Sequence, residues 1–171
     1  MSASLDIRKA EPEDVRTLGE IAYTAWESGI LPLLTERPGM REAERRRLIA
    51  AAGELVGRAI VASFDGHPVG WCARAKATPY IPYLFVMPVF QGQGIGALLL
   101  RRMEAILELH GHDRVMLETP VGNVRAVRFY QRQGYHILAL KADGRQAQQA
   151  FMSVRLEKRL HPFTGPIPDD E

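Results

Sequence analysis

Three glycines at alternate positions stand where a hydrophobic strand should give way to a helix, in the segment Gln91-Gly92-Gln93-Gly94-Ile95-Gly96. Because glycine lacks a Cβ, the chain can turn sharply there and bring backbone N–H groups close to a ligand. The N-terminus of the following helix adds unpaired N–H donors and a partial positive charge. The segment therefore predicts a strand–loop–helix unit that binds a phosphate or pyrophosphate. A plain strand-to-helix turn is a weaker alternative, because one glycine would be enough for it.

The spacing of hydrophobic residues around this segment predicts a mixed α/β (α+β) fold. Apolar residues recur at helical spacing in some stretches and alternate or cluster in others. Helices are predicted from Glu11, over 40–57, over 94–110 and from Asn123 to Gly134, and strands near 5–7, 58–64, 68–76, 80–87, 114–118, 135–141 and 150–158. The order β-α-α-β-β-β-α-β-α-β-β predicts a mixed, mostly antiparallel sheet of about seven strands with helices on both faces.

Length and composition limit the class of protein. The chain has 171 residues, so we expect one domain over 1–160 and a flexible tail over 161–171. No run approaches the ~20 apolar residues that a membrane helix needs, and the first residues lack the apolar core of a secretory signal. Cys72 is the only cysteine, so we expect a reducing, cytoplasmic location. The 22 basic and 20 acidic residues are mixed and leave a net charge of +2, which argues against a nucleic-acid binder.

The glycine loop also formally satisfies the fingerprint of dinucleotide-binding proteins. Gly92, Gly94 and Ala97 fit that spacing, and Glu118 follows about 20 residues on, where a ribose-binding acid would stand. However, the four residues 88–91 separate the strand from the first glycine, and the loop follows a predicted antiparallel meander in mid-chain. Little chain remains for a second mononucleotide half. An NAD(P)-binding oxidoreductase is therefore the weaker interpretation.

Two blocks of sequence resemble one enzyme family. The segment 84–96, LFVMPVFQGQGIG, is similar to motif A of the GNAT N-acetyltransferase superfamily, a strand ending in Val-x-Pro followed by a Gln/Arg-x-x-Gly-x-Gly/Ala loop. The segment 123–135, NVRAVRFYQRQGY, resembles the family's later Asn-x-x-Ala-x-x-Phe-Tyr block. The two blocks stand in the family's order, with one helix and one strand between them. The resemblance implies a GNAT-like fold and an acetyl-CoA-dependent N-acetyltransferase.

The resemblance also implies a cofactor site. In the family, loop amides hold the pyrophosphate, and the pantetheine arm inserts where the fourth strand splays from the fifth. The residues so implicated in cofactor binding are Leu84, Phe85, Val86, Gln91, Gly92, Gln93, Gly94, Ile95, Gly96, Ala97, Asn123 and Tyr130. The Val86 amide would donate to the thioester carbonyl. Asn123 would contact the pantetheine arm, and Tyr130 would act as the catalytic general acid.

The base that would accept the amine proton stays open. Many relatives carry a glutamate four residues before the Val of Val-x-Pro, and Pro82 occupies that position here. Glu118, Glu27, Tyr80, Tyr83 and a water chain all remain candidates. Because proline cannot donate to a central ladder, we also expect Pro82 to mark a bulge that helps to splay the two strands.

The remaining expectations concern the acceptor and the groups without a catalytic role. The resemblance further implies that the acceptor site is lined by Trp26, Glu27 and the loops 28–39 and 142–149. The charged run 41–47 is typical of a solvated helix face. We expect Cys72 to be a buried structural thiol and, since the histidines lack zinc-like spacing, no metal site. The acceptor would be a small-molecule amine or a peptide or protein amine.

Two further points concern the chain as a whole, its alternative function and its assembly. A regulatory module that binds coenzyme A without catalysis is a second interpretation beside the enzyme. The oligomeric state stays open, with a homodimer as one alternative because dimers are common among relatives. Neither a membrane nor a nucleic-acid partner is expected.

Overall fold

The computed structural model describes residues 4–142 and 152–160, and within them it contains seven strands and four α-helices. The strands are β1 (Leu5–Lys9), β2 (Ala59–Phe64), β3 (His67–Ala73), β4 (Tyr83–Val86), β5 (Arg114–Pro120), β6 (His136–Ala142) and β7 (Met152–Arg159). The helices are α1 (Val15–Gly29), α2 (Met40–Leu55), α3 (Ile95–Leu109) and α4 (Val124–Arg132). The predicted order of elements is confirmed. The predicted tail 161–171, and the predicted loop 142–149 beyond its first residue, lie outside the described residues.

The strands form two antiparallel sheets rather than one continuous sheet. The first has the order β1-β2-β3-β4, and the second has the order β5-β7-β6. In the part of the chain that the structure describes, they meet at one parallel bridge, between Tyr80 and Met116. There the Ile81 N–H donates to the Met116 carbonyl at 3.0 Å, and the Met116 N–H donates to the Pro79 carbonyl at 2.8 Å. Beyond this bridge β4 and β5 separate, so the seven strands make one mixed layer that opens at its centre.

Pro82 lies where the chain changes partners, and the register shifts by one residue there, as the predicted bulge requires: Ala73 pairs with Tyr83, whereas the Ala75 N–H donates to the Tyr80 carbonyl at 2.8 Å. Residues 79–81 pair with β5, whereas β4 begins at Tyr83 and pairs with β3 in regular register from Ala73↔Tyr83 to Gly70↔Val86. Proline has no N–H to donate, and at this junction no ladder bond is lost. The predicted strand over 80–87 is therefore two short paired segments joined at Pro82.

The helices cover both faces of the first sheet, as predicted. Side chains alternate along β2 and β3, so Ile60 and Cys72 pack with the α3 side chains, whereas Val61 and Trp71 pack with those of α1 and α2. The Trp71 indole N–H also donates to the Leu18 carbonyl in α1 at 2.9 Å. No α-helix in the described ranges is both long enough and apolar enough to cross a membrane.

Candidate functional site

A cleft of about 880 Å³ opens where the two sheets separate. β4 lines one side and the end of β5 the other, while the glycine loop and the start of α4 close one end. Of the residues implicated in cofactor binding, the cleft is lined by Leu84, Phe85, Val86, Gln91, Gly92, Gly94, Ile95, Gly96, Ala97, Asn123 and Tyr130. Gln93 is the exception, since it does not line the cleft. Residues distant in sequence thus meet in one cavity.

The glycine loop presents backbone N–H groups at one end of the cleft. Gly92 and Gly94 have φ values of +78° and +85°, a left-handed conformation that disfavours side chains. Gly94 is the N-cap of α3 and offers no side-chain oxygen to the first helical turn. The N–H groups of Ile95, Gly96 and Ala97 are therefore left for an acceptor from outside the helix. Partial positive charge at this helix end makes the site suited to an anion.

β4 turns one backbone edge toward the cleft. Successive N–H groups of a strand point to opposite edges, and the Met87 N–H donates to the Val69 carbonyl in β3 at 2.8 Å. The Val86 N–H consequently points to the other edge, where the β5 ladder has ended. The Val86 carbonyl shares that edge and accepts from the Gln91 side-chain amide at 3.0 Å. Gln91 thus ties the loop to β4 and leaves the Val86 N–H available in the cleft.

Asn123 caps the N-terminus of α4, as predicted. Its Oδ1 accepts from the Ala126 backbone N–H at 3.3 Å, so its NH₂ group is left for other partners. This capping fixes where α4 begins and therefore where Tyr130, two turns later, enters the cleft.

Aromatic packing holds Tyr130, and no side-chain hydrogen bond joins it to another described residue. Its ring makes edge contacts with Phe129 and Tyr135, with centroids 5.1 and 5.8 Å away. Burial raises the pKa of the Tyr130 hydroxyl, and the neighbouring Cys72 and Tyr80 raise it further. The phenol therefore remains protonated at neutral pH and is a donor within the cleft.

The base candidates occupy different places. Glu118 lines the cleft, and its Oε1 accepts from Arg155 at 2.6 and 2.9 Å and lies 3.4 Å from the Lys141 ammonium. Among the described residues, these contacts all fall on Oε1, which leaves Oε2 for an incoming group. The parallel bridge at Tyr80 and Met116 brings Glu118 level with Pro82, the position where many relatives carry a glutamate.

The other candidates are less suited to proton transfer. The Glu27 carboxylate is bonded to Tyr23 and Arg41 and does not line the cleft. Tyr83 does line it, and its hydroxyl accepts from Arg47 at 3.0 Å. Tyr80 contributes its backbone to the bridge between the sheets and is not part of the cleft lining.

Of the residues expected around the acceptor, Trp26 and residues 28–30 line the cleft, whereas Glu27 does not. Cys72 is fully buried, as expected, and burial raises the pKa of its thiol. Within the described ranges, no group of three or more His, Cys, Asp or Glu side chains could hold a metal ion.

The prediction that residues 41–47 form a solvated face is wrong for Glu44, whereas Arg47 is exposed, as predicted. Glu44 is buried, forms a two-bond ion pair with Arg47, and both line the cleft. The physical reason lies in helical spacing, because Glu44 stands four residues before Leu48, which is also buried, and therefore shares its face. Extending the Leu48 and Ala52 stripe back one turn would have identified Glu44. Arg46, in contrast, is exposed beside Glu42 as predicted.

Comparison with known proteins gives one family and a consistent set of structures. The model of the Acetyltransferase (GNAT) family matches residues 18–135. An uncharacterized N-acetyltransferase of Archaeoglobus fulgidus is 40% identical over 86 residues, which cover 43% of this chain and 56% of that protein. The chain thus matches little more than half the length of this curated relative.

Solved structures share the fold at low sequence identity. The PaiA N-acetyltransferase of Thermoplasma acidophilum, solved in complex with coenzyme A, superposes with a TM-score of 0.75 at 21% identity, covering 92% of this chain and 99% of that one. The yncA protein of Salmonella typhimurium, solved with its cofactor acetyl-CoA, gives 0.67 at 18% identity, covering 95% and 98%.

Proposed function

Because the chain belongs to the GNAT acetyltransferase family, we propose that it transfers an acetyl group from acetyl-CoA directly to an amine in a ternary complex. One observation carries the proposal: a single cleft holds an anion-binding helix end and, on β4, an unpaired backbone edge. These two features suit the pyrophosphate and the amide-rich pantetheine arm of one extended molecule. The PaiA and yncA structures with coenzyme A and acetyl-CoA support the same choice of co-substrate.

The glycine loop and β4 would hold the co-substrate. The N–H groups of the first turn of α3 and of the loop 91–96 would bind the pyrophosphate. Leu84 and Val86 would offer backbone groups along the open edge, and the Asn123 amide would bind the pantetheine arm from the opposite side. Acetyl-CoA supplies an activated acyl group as a thioester, and the fixed Val86 N–H would stabilise negative charge on its carbonyl oxygen.

Two side chains would move the protons. Glu118 lines the cleft, and its Oε2 would accept a proton from the amine directly or through one water. Tyr130 would donate its phenolic proton to the leaving thiolate, since burial keeps that phenol neutral. We assign Glu118 in place of the glutamate that many relatives carry at the position of Pro82.

The proposal extends to the chain as a whole. A single domain over 1–160 is supported by a core cluster that contains buried residues of both sheets. A cytoplasmic location and a homodimer remain predictions, the first resting on the single buried cysteine. The acceptor is proposed to be a small-molecule amine or a peptide or protein amine.

The test is a binding and turnover measurement on the purified chain. Calorimetry should show acetyl-CoA binding with no comparable binding of NAD or NADP, and a panel of amines should release free coenzyme A in the presence of acetyl-CoA. Binding of NAD(P) without acetyl-CoA would overturn the proposal in favour of an oxidoreductase. Tight acetyl-CoA binding with no turnover on any amine would instead favour the regulatory module.

A further inference from the structure

Three side chains form a hydrogen-bonded cluster on one wall of the cleft. Glu44 and Arg47 stand on α2, and Tyr83 is the first residue of β4. Arg47 donates Nε–H to Glu44 Oε2 at 2.9 Å, a second bond from Nη2 to Oε1, and a third from Nη1 to the Tyr83 hydroxyl at 3.0 Å. All three residues line the cleft. We call them the α2–β4 cluster.

Some hydrogen-bond donors of the α2–β4 cluster are not used within the cluster. Only 9% of the Glu44 side chain is exposed, and both its oxygens are bonded to Arg47. The guanidinium has five N–H donors, of which these contacts use three, and 44% of the Arg47 side chain is exposed. Tyr83 accepts from Arg47, so its own hydroxyl hydrogen is left to donate. The cluster therefore presents N–H and O–H donors to the cleft.

The opposite wall has the reverse character. Glu118 on β5 keeps Oε2 for an incoming group, while Arg155 and Lys141 compensate the charge at Oε1. An amine is attracted to that carboxylate oxygen, whereas the donors of Arg47 and Tyr83 suit an oxygen acceptor. The planar guanidinium fits a carboxylate especially well, because two N–H groups can bind its two oxygens.

We propose that the acceptor substrate carries a carboxylate close to its amine, and that Arg47 and Tyr83 bind this carboxylate. The inference rests on the proposed function and adds the substrate class. Glu44 positions the guanidinium through the two-bond pair and thereby aims its remaining donors at the cleft. The acceptor would be an amino acid or a similar small amino-carboxylate.

The experiment compares amines that differ only by this group. Each pair consists of an amino acid and its decarboxylated amine, such as leucine with 3-methylbutylamine, phenylalanine with 2-phenylethylamine, and β-alanine with ethylamine. Amino-acid amides form a third arm, since they keep a neutral carbonyl in place of the carboxylate. With acetyl-CoA saturating, the carboxylate member of at least one pair should have a kcat/KM about ten- to a hundredfold higher, as expected for charged hydrogen bonds.

Variants identify the residues that make the discrimination. Tyr83→Phe removes one donor and leaves the ion pair in place, so the preference should fall mainly through a higher KM for the acid. Arg47→Gln alone would leave the buried Glu44 without its partner, so the double variant Glu44→Gln/Arg47→Gln tests the guanidinium without a stranded charge. Arg46→Gln is the matched control on the same helix and should keep the wild-type preference.

The outcomes separate this inference from the proposed function. Equal or better turnover of the decarboxylated amines or the amides overturns the inference and leaves the acetyltransferase proposal intact. The same holds if no carboxylate member is acetylated although acetyl-CoA binds, or if the folded Tyr83→Phe and double variants keep the full preference. Failure of acetyl-CoA itself to bind would instead contradict the proposed function.

Discussion

At the scale of single residues, Tyr130 shows how packing sets a protonation state. Desolvation disfavours the phenolate more than the neutral phenol, so burial raises the pKa of Tyr130 above the ordinary value of about 10. The side chain therefore holds its proton throughout the physiological range. A thiolate released into the cleft would meet a neutral donor, which is what the acid role requires.

Replacing Tyr130 by phenylalanine tests that role. We expect Tyr130→Phe to lower kcat by about a hundredfold, a common contribution of a general acid, because the phenol proton is lost while the ring packing is kept. The dissociation constant for acetyl-CoA should change far less. Steady-state kinetics and calorimetry on the same preparation measure the two quantities.

Tyr135 provides the matched control for this substitution. Its hydroxyl donates to the buried Glu104 at 3.1 Å, and Glu104 is also bonded to Lys158 at 2.8 Å, so the group is structural. Tyr135→Phe should reduce stability and leave kcat of the folded protein close to wild type. Unchanged turnover in Tyr130→Phe would remove Tyr130 from the acid role.

The role of a residue could be predicted from the sequence where its contacts are with near neighbours along the chain. Asn123 was identifiable because a helix cap is set by the next three residues. Glu44 was misassigned because a charged run is usually solvated. Arg47 is exposed, but its partner Tyr83 lies 36 residues away along the chain, so no local pattern indicated the contact. Glu118 was one of several base candidates until the pairing of β5 brought it level with Pro82.

At the scale of elements, the loop before α3 combines left-handed glycines with the exposed N–H groups of the first helical turn. Gly94 has φ +85°, and a Cβ built there would meet no atom within 4 Å. A side chain at this position is therefore opposed by backbone strain and not by a clash within the protein. The side chain would project from the end of the cleft where the N–H groups are exposed.

Gly94→Val should consequently weaken acetyl-CoA binding by about tenfold or more, because the strained backbone would no longer hold its amides toward the pyrophosphate. Gly66→Val is the control, since Gly66 in the β2–β3 turn has φ +80° and equally open surroundings. Both variants should lose roughly 1–2 kcal/mol of stability from left-handed strain. Unimpaired acetyl-CoA affinity in Gly94→Val would contradict the binding role of the loop.

The elements also differed in how far sequence could define them. The periodicity of apolar residues predicted α3, and Asp65-Gly66 is a dipeptide that favours the tight turn between β2 and β3. Both signals are local in sequence. The sequence did not predict where β4 begins. Residues 79–81 and 83–86 are similar in composition, and what separates them is the strand with which each segment pairs. Pairing between distant segments is decided by the whole sheet, and no local pattern records it.

At the scale of the whole molecule, the two sheets are joined by side-chain packing on the face that α3 covers. Val86 of the first sheet and Leu117 and Leu156 of the second share one buried cluster with Leu99 of α3. Within residues 4–142 and 152–160, backbone hydrogen bonding between the sheets is confined to the residues around the Tyr80–Met116 bridge. A ligand in the cleft therefore contacts both sheets where the backbone ladder does not join them.

This arrangement predicts that acetyl-CoA stabilises both halves of the molecule together. At a concentration one hundred times its dissociation constant, it should add about 2.7 kcal/mol to the free energy of unfolding, which corresponds to a Tm rise of about 5–11 °C for a domain of this size. Amide hydrogen exchange should slow in β4 and in β5, because the ligand lies between them. NAD at the same concentration is the control and should cause neither effect. Slower exchange confined to one of the two strands would contradict a site that spans the opening between the sheets.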